Sequence, residues 1–263
     1  MAPHRIRNTP ERIVCLTEET TETLYLLGES ERIVGISAYT VRPPEAKRDK
    51  PVVSAFISGS VEKIKALQPD LVVSFSDIQA ELARQLIAAN LQVLIFNQRS
   101  LQEILDTILT VGRIVGREAR ARELVQGYVA RLGAAESKAK RRQHRPRVFF
   151  EEWPDPTISA IQWVSELIAL AGGEDLFADR AHGRLASERI VTPAEVVARA
   201  PEIYVASWCG KPFDRTLALA REGFATLPAV RAGRVYEIDP SIILQPGPAC
   251  LTDGLAALEA IVV

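Results

Sequence analysis

The sequence predicts an α/β fold of two lobes with mainly parallel sheets. Three observations predict it. Short β-branched runs alternate with helix-patterned segments through the first hundred residues. The same alternation resumes after Pro146. Between them lies a long stretch of helical spacing with no strand signal. The division is therefore 1–99 for an N-terminal α/β lobe, 100–145 for a linking helical region and 146–263 for a C-terminal α/β lobe. A chain of 263 residues is long enough for two such lobes and a sizeable core.

In the first lobe, residues 12–16 form a β-branched strand. A helix over 18–27 follows and stops at Gly28. Residues 33–36 are the second strand. Pro43 and Pro44 force an extended loop. Ser60 caps a helix over 61–67, which Pro69 ends. Residues 71–74 and 93–96 are buried-type strands with an amphipathic helix over 78–89 between them. Ser100 and Glu103 have capping-box spacing and open the linking region, in which Gly112 and Gly116 interrupt without ending the pattern. In the second lobe, strands are expected at 147–150, 203–206 and 235–238. Helices are expected at 161–170, closed by Gly172 and Gly173, and at 251–261. Thr192, Pro193 and Glu195 make a second capping box with proline at the first helical position.

The halves echo one another. Residues 61–74 and 193–206 each run helix, proline, acid, buried strand, so that Pro69 aligns with Pro201 and Asp70 with Glu202. Two lobes of similar construction place a ligand cleft between them.

Composition narrows the function classes. Hydrophobic residues make up 47% and charged residues 25%, as in a globular protein. A formal net charge of -1 argues against a chain built to neutralise phosphates on nucleic acid. The cluster Lys138, Lys140, Arg141 and Arg142 is read as a solvated helix end favoured by the dipole. The three cysteines, Cys15, Cys209 and Cys250, lack metal spacing, and their odd number does not suit a disulfide framework. No apolar segment follows the basic residues of the N-terminus, so neither a signal peptide nor a membrane span is expected. That places the chain in the cytoplasm, or in the periplasm or on the surface if a leader was removed.

Ligands of α/β sheets sit beyond the carboxyl ends of the strands. The candidates there are Tyr39, Phe75 and Ser76 in the first lobe, with Phe56 in an irregular stretch beside the cleft edge. In the second lobe they are Glu152, Trp153, Trp208 and Cys209. Two of the three tryptophans fall directly after predicted strands; Trp163 lies on a helix and faces either the core or the cleft floor. Glu151 and Glu152 are adjacent and point in opposite directions, which does not suit a shared acid–base pair. One is expected to be buried and hydrogen-bonded, the other solvated. His4, His144 and His182 have no ligand-like spacing. With no nucleophile motif, phosphate loop, metal cluster or catalytic residue in view, binding without chemistry is expected, with no intrinsic cofactor.

The ordered set of Arg12 to Leu16 with Thr20 to Glu22, Val34 to Tyr39, Arg42 to Pro44, Val61 to Leu71, Ala171 to Gly173 and Pro246 to Pro248 resembles the substrate-binding proteins of ABC importers for cobalamin, haem and ferric siderophores. The resemblance spans 12–261 and is nearest the cobalamin-binding branch. It implies a class III periplasmic-binding-protein-like fold, in which one long backbone helix joins the lobes. It also implies a bulky planar ligand, most simply cobalamin or another corrinoid, gripped by Tyr39, Phe56, Phe75, Trp153, Trp163 and Trp208. Ferric-siderophore or haem binding, and a cytoplasmic carrier for another metabolite, are the alternatives. The implied partners are the small-molecule ligand and an ABC permease, with no nucleic acid and no membrane insertion, for a monomeric chain. Glu62 matches the first permease-docking glutamate of the family. The second-lobe equivalent is Ala194, which is not acidic, and the neighbouring Glu195 is assigned to the capping box.

Overall fold

The computed structural model describes residues 9–55 and 58–263. The chain forms two compact units. One contains the residues up to Gln98 with Gln102–Gln126, the other Arg99–Leu101 with Gly127–Val263.

The first unit runs β1 (Ile13–Cys15), α1 (Glu18–Leu26), β2 (Ile33–Ser37), α2 (Pro44–Asp49), β3 (Val52–Ser54), α3 (Val61–Ala66), β4 (Leu71–Phe75), α4 (Ala80–Ala88), β5 (Val93–Phe96) and α5 (Leu101–Ile114). Its five strands are all parallel in the order β3-β2-β1-β4-β5. The order reverses between β1 and β4, the position at which such sheets open a crevice beyond the strand ends. Period-two alternation sorts β1 to two cores. Ile13 and Cys15 pack with Leu24, Val111 and Val115 on one face. Val14 and Leu16 pack with Ile64, Leu82 and Leu86 on the other. β3 escapes pattern reading because three residues after Pro51 carry too little periodicity.

The linking region is two helices where one was expected. Gly116 takes a left-handed φ of +70°. Its N–H donates to the Arg113 carbonyl, and the Arg117 N–H donates to that of Gly112 at 2.7 Å. This pair of bonds is a Schellman closure, so Gly116 ends α5 instead of merely interrupting it. α6 (Glu118–Ala139) carries the chain from the first unit into the second.

The second unit runs β6 (Arg147–Pro154), β7 (Thr157–Ser159), α7 (Gln162–Leu170), β8 (Glu174–Asp175), α8 (Ala178–Ala181), α9 (Pro193–Arg199), β9 (Ile203–Ala206), α10 (Arg215–Leu219), α11 (Pro228–Arg231), β10 (Val235–Glu237), α12 (Pro240–Ile243) and α13 (Leu255–Ile261). Its sheet order is β10-β9-β6-β7, with β8 also on β6. Only β7 is antiparallel. β6 is longer than the sequence pattern suggests. It continues through Glu151, Glu152 and Trp153, because β7 turns back to pair with them across a register shift.

The internal echo is physical. In the first unit the Asp70 carboxylate accepts the Arg12 N–H at 2.9 Å, and the Arg12 guanidinium donates to the carbonyls of Leu67 and Gln68. In the second the Glu202 carboxylate accepts the Arg147 N–H at 3.0 Å, and the Arg147 guanidinium donates to the Ala200 carbonyl. Gln68 and Ala200, each just before the proline, share a left-handed φ of 50° and 47°. Each clamp thus ties a helix end to the start of its central strand. The capping box of α9 is also present, with Glu195 accepting from the Thr192 N–H at 2.8 Å.

Candidate functional site

At the carboxyl end of the first sheet, Gln79 fastens β1 to β4. Its amide donates to the Leu16 carbonyl at 3.2 Å and accepts from the Ser74 hydroxyl and the Phe75 N–H. Phe75 closes β4 and is buried. Ser76 follows at φ 56°, its N–H donating to the Phe96 carbonyl at 2.7 Å. Tyr39 stands beyond β2 and is 45% exposed. Phe56 lies outside the described residues.

Beside these sits a group absent from the predicted site. Glu18 and Glu19, at the start of α1, are both buried. Burial pushes the Glu18 carboxyl up to about 8, against a hydrogen bond from the Val41 N–H. Burial likewise raises Glu19 to about 7, although the Thr17 hydroxyl donates to it at 2.6 Å. Glu22, one turn on, pairs with Arg42 at 3.0 Å.

In the second unit β6 and β9 are parallel neighbours, with Glu151 opposite Ala206. Their ends therefore bring Glu152 and Trp153 beside Trp208 and Cys209. The Cys209 N–H donates to the Glu152 carbonyl at 3.3 Å. Adjacent acids do diverge as expected. Glu151 turns fully inward and meets the Arg221 guanidinium at 2.7 and 2.9 Å, together with the Tyr204 hydroxyl. Glu152 turns the other way but is not a free solvated acid. The buried guanidinium of Arg189 holds it at 2.6 Å.

The tryptophans differ in their freedom. Trp153 is half-buried, and its indole N–H donates to the Asp155 carbonyl at 2.9 Å. Trp208 continues the alternation of Tyr204 and Ala206 into the core, is 2% exposed, and meets Phe213 edge-on at 5.1 Å. Its N–H has no acceptor among the described residues. Trp163 is buried in α7, where its N–H donates to the Ile243 carbonyl at 2.9 Å. Lys211 places its ammonium 4.0 Å from the Trp153 ring centroid and 5.5 Å from that of Trp208. It borders a cavity of about 610 Å³ lined also by Gly210, Pro212, Glu237, Asp239 and Pro240. A cavity of about 460 Å³ in the first unit lies at the amino ends of β4 and β5, away from these residues.

Burial raises the Cys209 thiol to about 11, so it is a poor nucleophile. Among the described residues no His, Cys, Asp and Glu group is disposed to hold a metal ion, and no helix is long and apolar enough to cross a membrane. Glu62 is exposed at the start of α3, and Ala194 is exposed at the start of α9. Arg189, Arg221 and Lys211 escaped sequence reading. The first two reach their acids across 37 and 70 residues, which no local pattern records. Lys211 follows Trp208 by only three residues, and the intervening Gly210 signals the turn that brings it back.

Comparison with known proteins agrees with this geometry. The family model of periplasmic binding proteins matches residues 13–242. An uncharacterized ABC transporter substrate-binding lipoprotein of Bacillus subtilis is 29% identical over 96% of this chain and 80% of its own length. A vitamin B12-binding protein of Pectobacterium atrosepticum is 29% identical over 65% of this chain and 63% of its own. Among solved structures, a periplasmic heme-binding protein from Roseiflexus superposes with a TM-score of 0.79 at 27% identity, covering 96% of this chain and 99% of that one. With the family model matched over most of its length, across both α/β units, this chain belongs to the periplasmic binding protein family.

Proposed function

We propose that this protein is the substrate-binding component of an ABC importer, working outside the cytoplasm, and that its ligand is a large planar tetrapyrrole, most simply cobalamin or a related corrinoid. One observation carries the assignment: Trp153 stands half-buried at the end of β6, where a flat apolar ring stacks on indole, and Trp208 at the end of the neighbouring parallel β9 backs it from the core. Tyr39, Phe75 and Ser76 at the strand ends of the first unit are the further contacts. Cys209 and Glu152 border the tryptophans, and Trp163 supports them from the core. The relatives named for vitamin B12 binding support a corrinoid, and the lipoprotein relative supports a location outside the cytoplasm. Glu62 is the proposed permease contact of the first unit. The second unit presents Ala194 at the matching place, so it contributes no acid there.

Haem is the second candidate, favoured by the heme-binding structure. Titration of intrinsic tryptophan fluorescence with cyanocobalamin and with haemin tests both. Saturable quenching and a raised Tm are expected with cyanocobalamin, and Trp153→Ala weakens binding several-fold. Saturation by haemin alone would replace the corrinoid with a porphyrin, and saturation by neither would end the tetrapyrrole assignment.

A further inference from the structure

The ammonium of Lys211 occupies the ring face on which a planar ligand would stack. Gly210, at φ +76°, makes the turn that folds Lys211 back, and the Lys211 N–H donates to the Trp208 carbonyl. The Trp153 ring beneath it is held in plane by its own N–H bond to Asp155. Lys211 forms no ion pair among the described residues, although two carboxylates border the same cavity. Both are engaged elsewhere: Glu237 accepts the Phe213 N–H at 3.0 Å, and Asp239 caps α12 through the Ser241 N–H at 2.8 Å.

A cation over an aromatic face is held weakly at an exposed site, so a stacking ligand displaces it. Lys211 is exposed, so the displaced ammonium returns to solvent unless the ligand supplies an acceptor beside the ring. A neutral ligand would remove the cation–π contact and offer the ammonium no charged partner in its place. A ligand with a negatively charged oxygen at its rim would satisfy the ammonium where it comes to rest.

We propose that Lys211 is a specificity-determining residue which yields the Trp153 face to the ligand's ring and then pairs with an anionic oxygen at the rim of that ring. The proposal rests on the tetrapyrrole assignment above. Two sources supply such an oxygen: the phosphodiester of a complete corrinoid or the carboxylates of a porphyrin.

The test measures Kd of the full chain and of Lys211→Ala and Lys211→Arg for cyanocobalamin, for dicyanocobinamide, which lacks the phosphodiester, and for haemin. Lys211→Ala is expected to weaken cyanocobalamin about tenfold and to tighten dicyanocobinamide, because the competing occupant of the ring is gone. Lys211→Arg restores most of the cyanocobalamin affinity. Weakening of haemin with no loss for cyanocobalamin would identify the carboxylate as the source. Equal changes for all three ligands, or no change, would overturn the proposal and leave the tetrapyrrole assignment standing. A wild-type chain that binds none of them overturns both.

Discussion

Glu151 and Glu152, at the end of β6, each meet an arginine, whereas Glu18 and Glu19, beyond β1, are buried beside one another while Arg42 pairs with Glu22 one turn on. The two units thus solve the same problem differently. An ionised carboxylate costs several kcal/mol to bury, and the cost is met either by a paired cation or by keeping the proton. The second unit uses cations carried in from distant loops. The first unit uses the proton: burial raises Glu18 to about 8 and Glu19 to about 7. The difference has a consequence at the first strand end, because Glu18 and Glu19 change charge near neutrality.

The largest expected effect comes from removing a cation. Arg221→Ala leaves Glu151 buried and unpaired, and should destabilise the second unit by about 3–5 kcal/mol in urea unfolding. A loss under 1 kcal/mol would show that Arg221 is not what compensates Glu151, which would erase the contrast.

The next is a pH effect confined to the first unit. Below about pH 4.5 the Glu18 carboxyl is protonated in both the folded and the unfolded chain. Above that the unfolded chain releases the proton and the folded chain keeps it up to about 8, with Glu19 following up to about 7. Stability therefore falls as pH rises through this window, by at most about 1.4 kcal/mol per pH unit for each group. Glu18→Gln should flatten the slope and be more stable than wild type at pH 8. A slope unchanged by Glu18→Gln and Glu19→Gln would place the titration elsewhere.

The repeated clamps allow a finer comparison. Asp70 accepts two backbone N–H groups, from Glu11 and Arg12, where Glu202 accepts one, from Arg147. Asp70→Ala should cost about 1.5–3 kcal/mol, and Glu202→Ala less, by thermal unfolding. The reverse order would mean that the His144 and Arg147 side chains, and not the backbone bond, carry the Glu202 contribution. The smallest effect is Gly210→Ala. Its φ of +76° should cost about 1 kcal/mol and loosen Lys211 from the Trp153 ring, visible as a shift in tryptophan emission.

Much of this was legible in the chain. The β-branched runs, Ser60, Thr192 with Glu195, and the Pro69/Pro201 echo lead to the right elements because each is a local signal. The helix break at Gly116 was legible only in part, since a glycine in helical spacing does not reveal whether its φ is positive. Trp208 lies two residues beyond Ala206 in the alternation of β9, and that spacing already points it into the core. The turn at Asp155 and Pro156 hides β7, and with it the extension of β6 through Trp153.

Local pattern, by itself, determined the α/β class, the two lobes and the strand ends at which the proposed contacts lie. Hydrogen-bonding periodicity and proline and glycine stereochemistry act within a few residues, and the sequence shows them directly. Only the tertiary structure decided which acids would be paired. Arg189 and Arg221 reach Glu152 and Glu151 from segments far along the chain, whereas Arg42 pairs with Glu22 and leaves Glu18 and Glu19 buried beside it. Charge compensation depends on distance in space, and a sequence records distance only along the backbone.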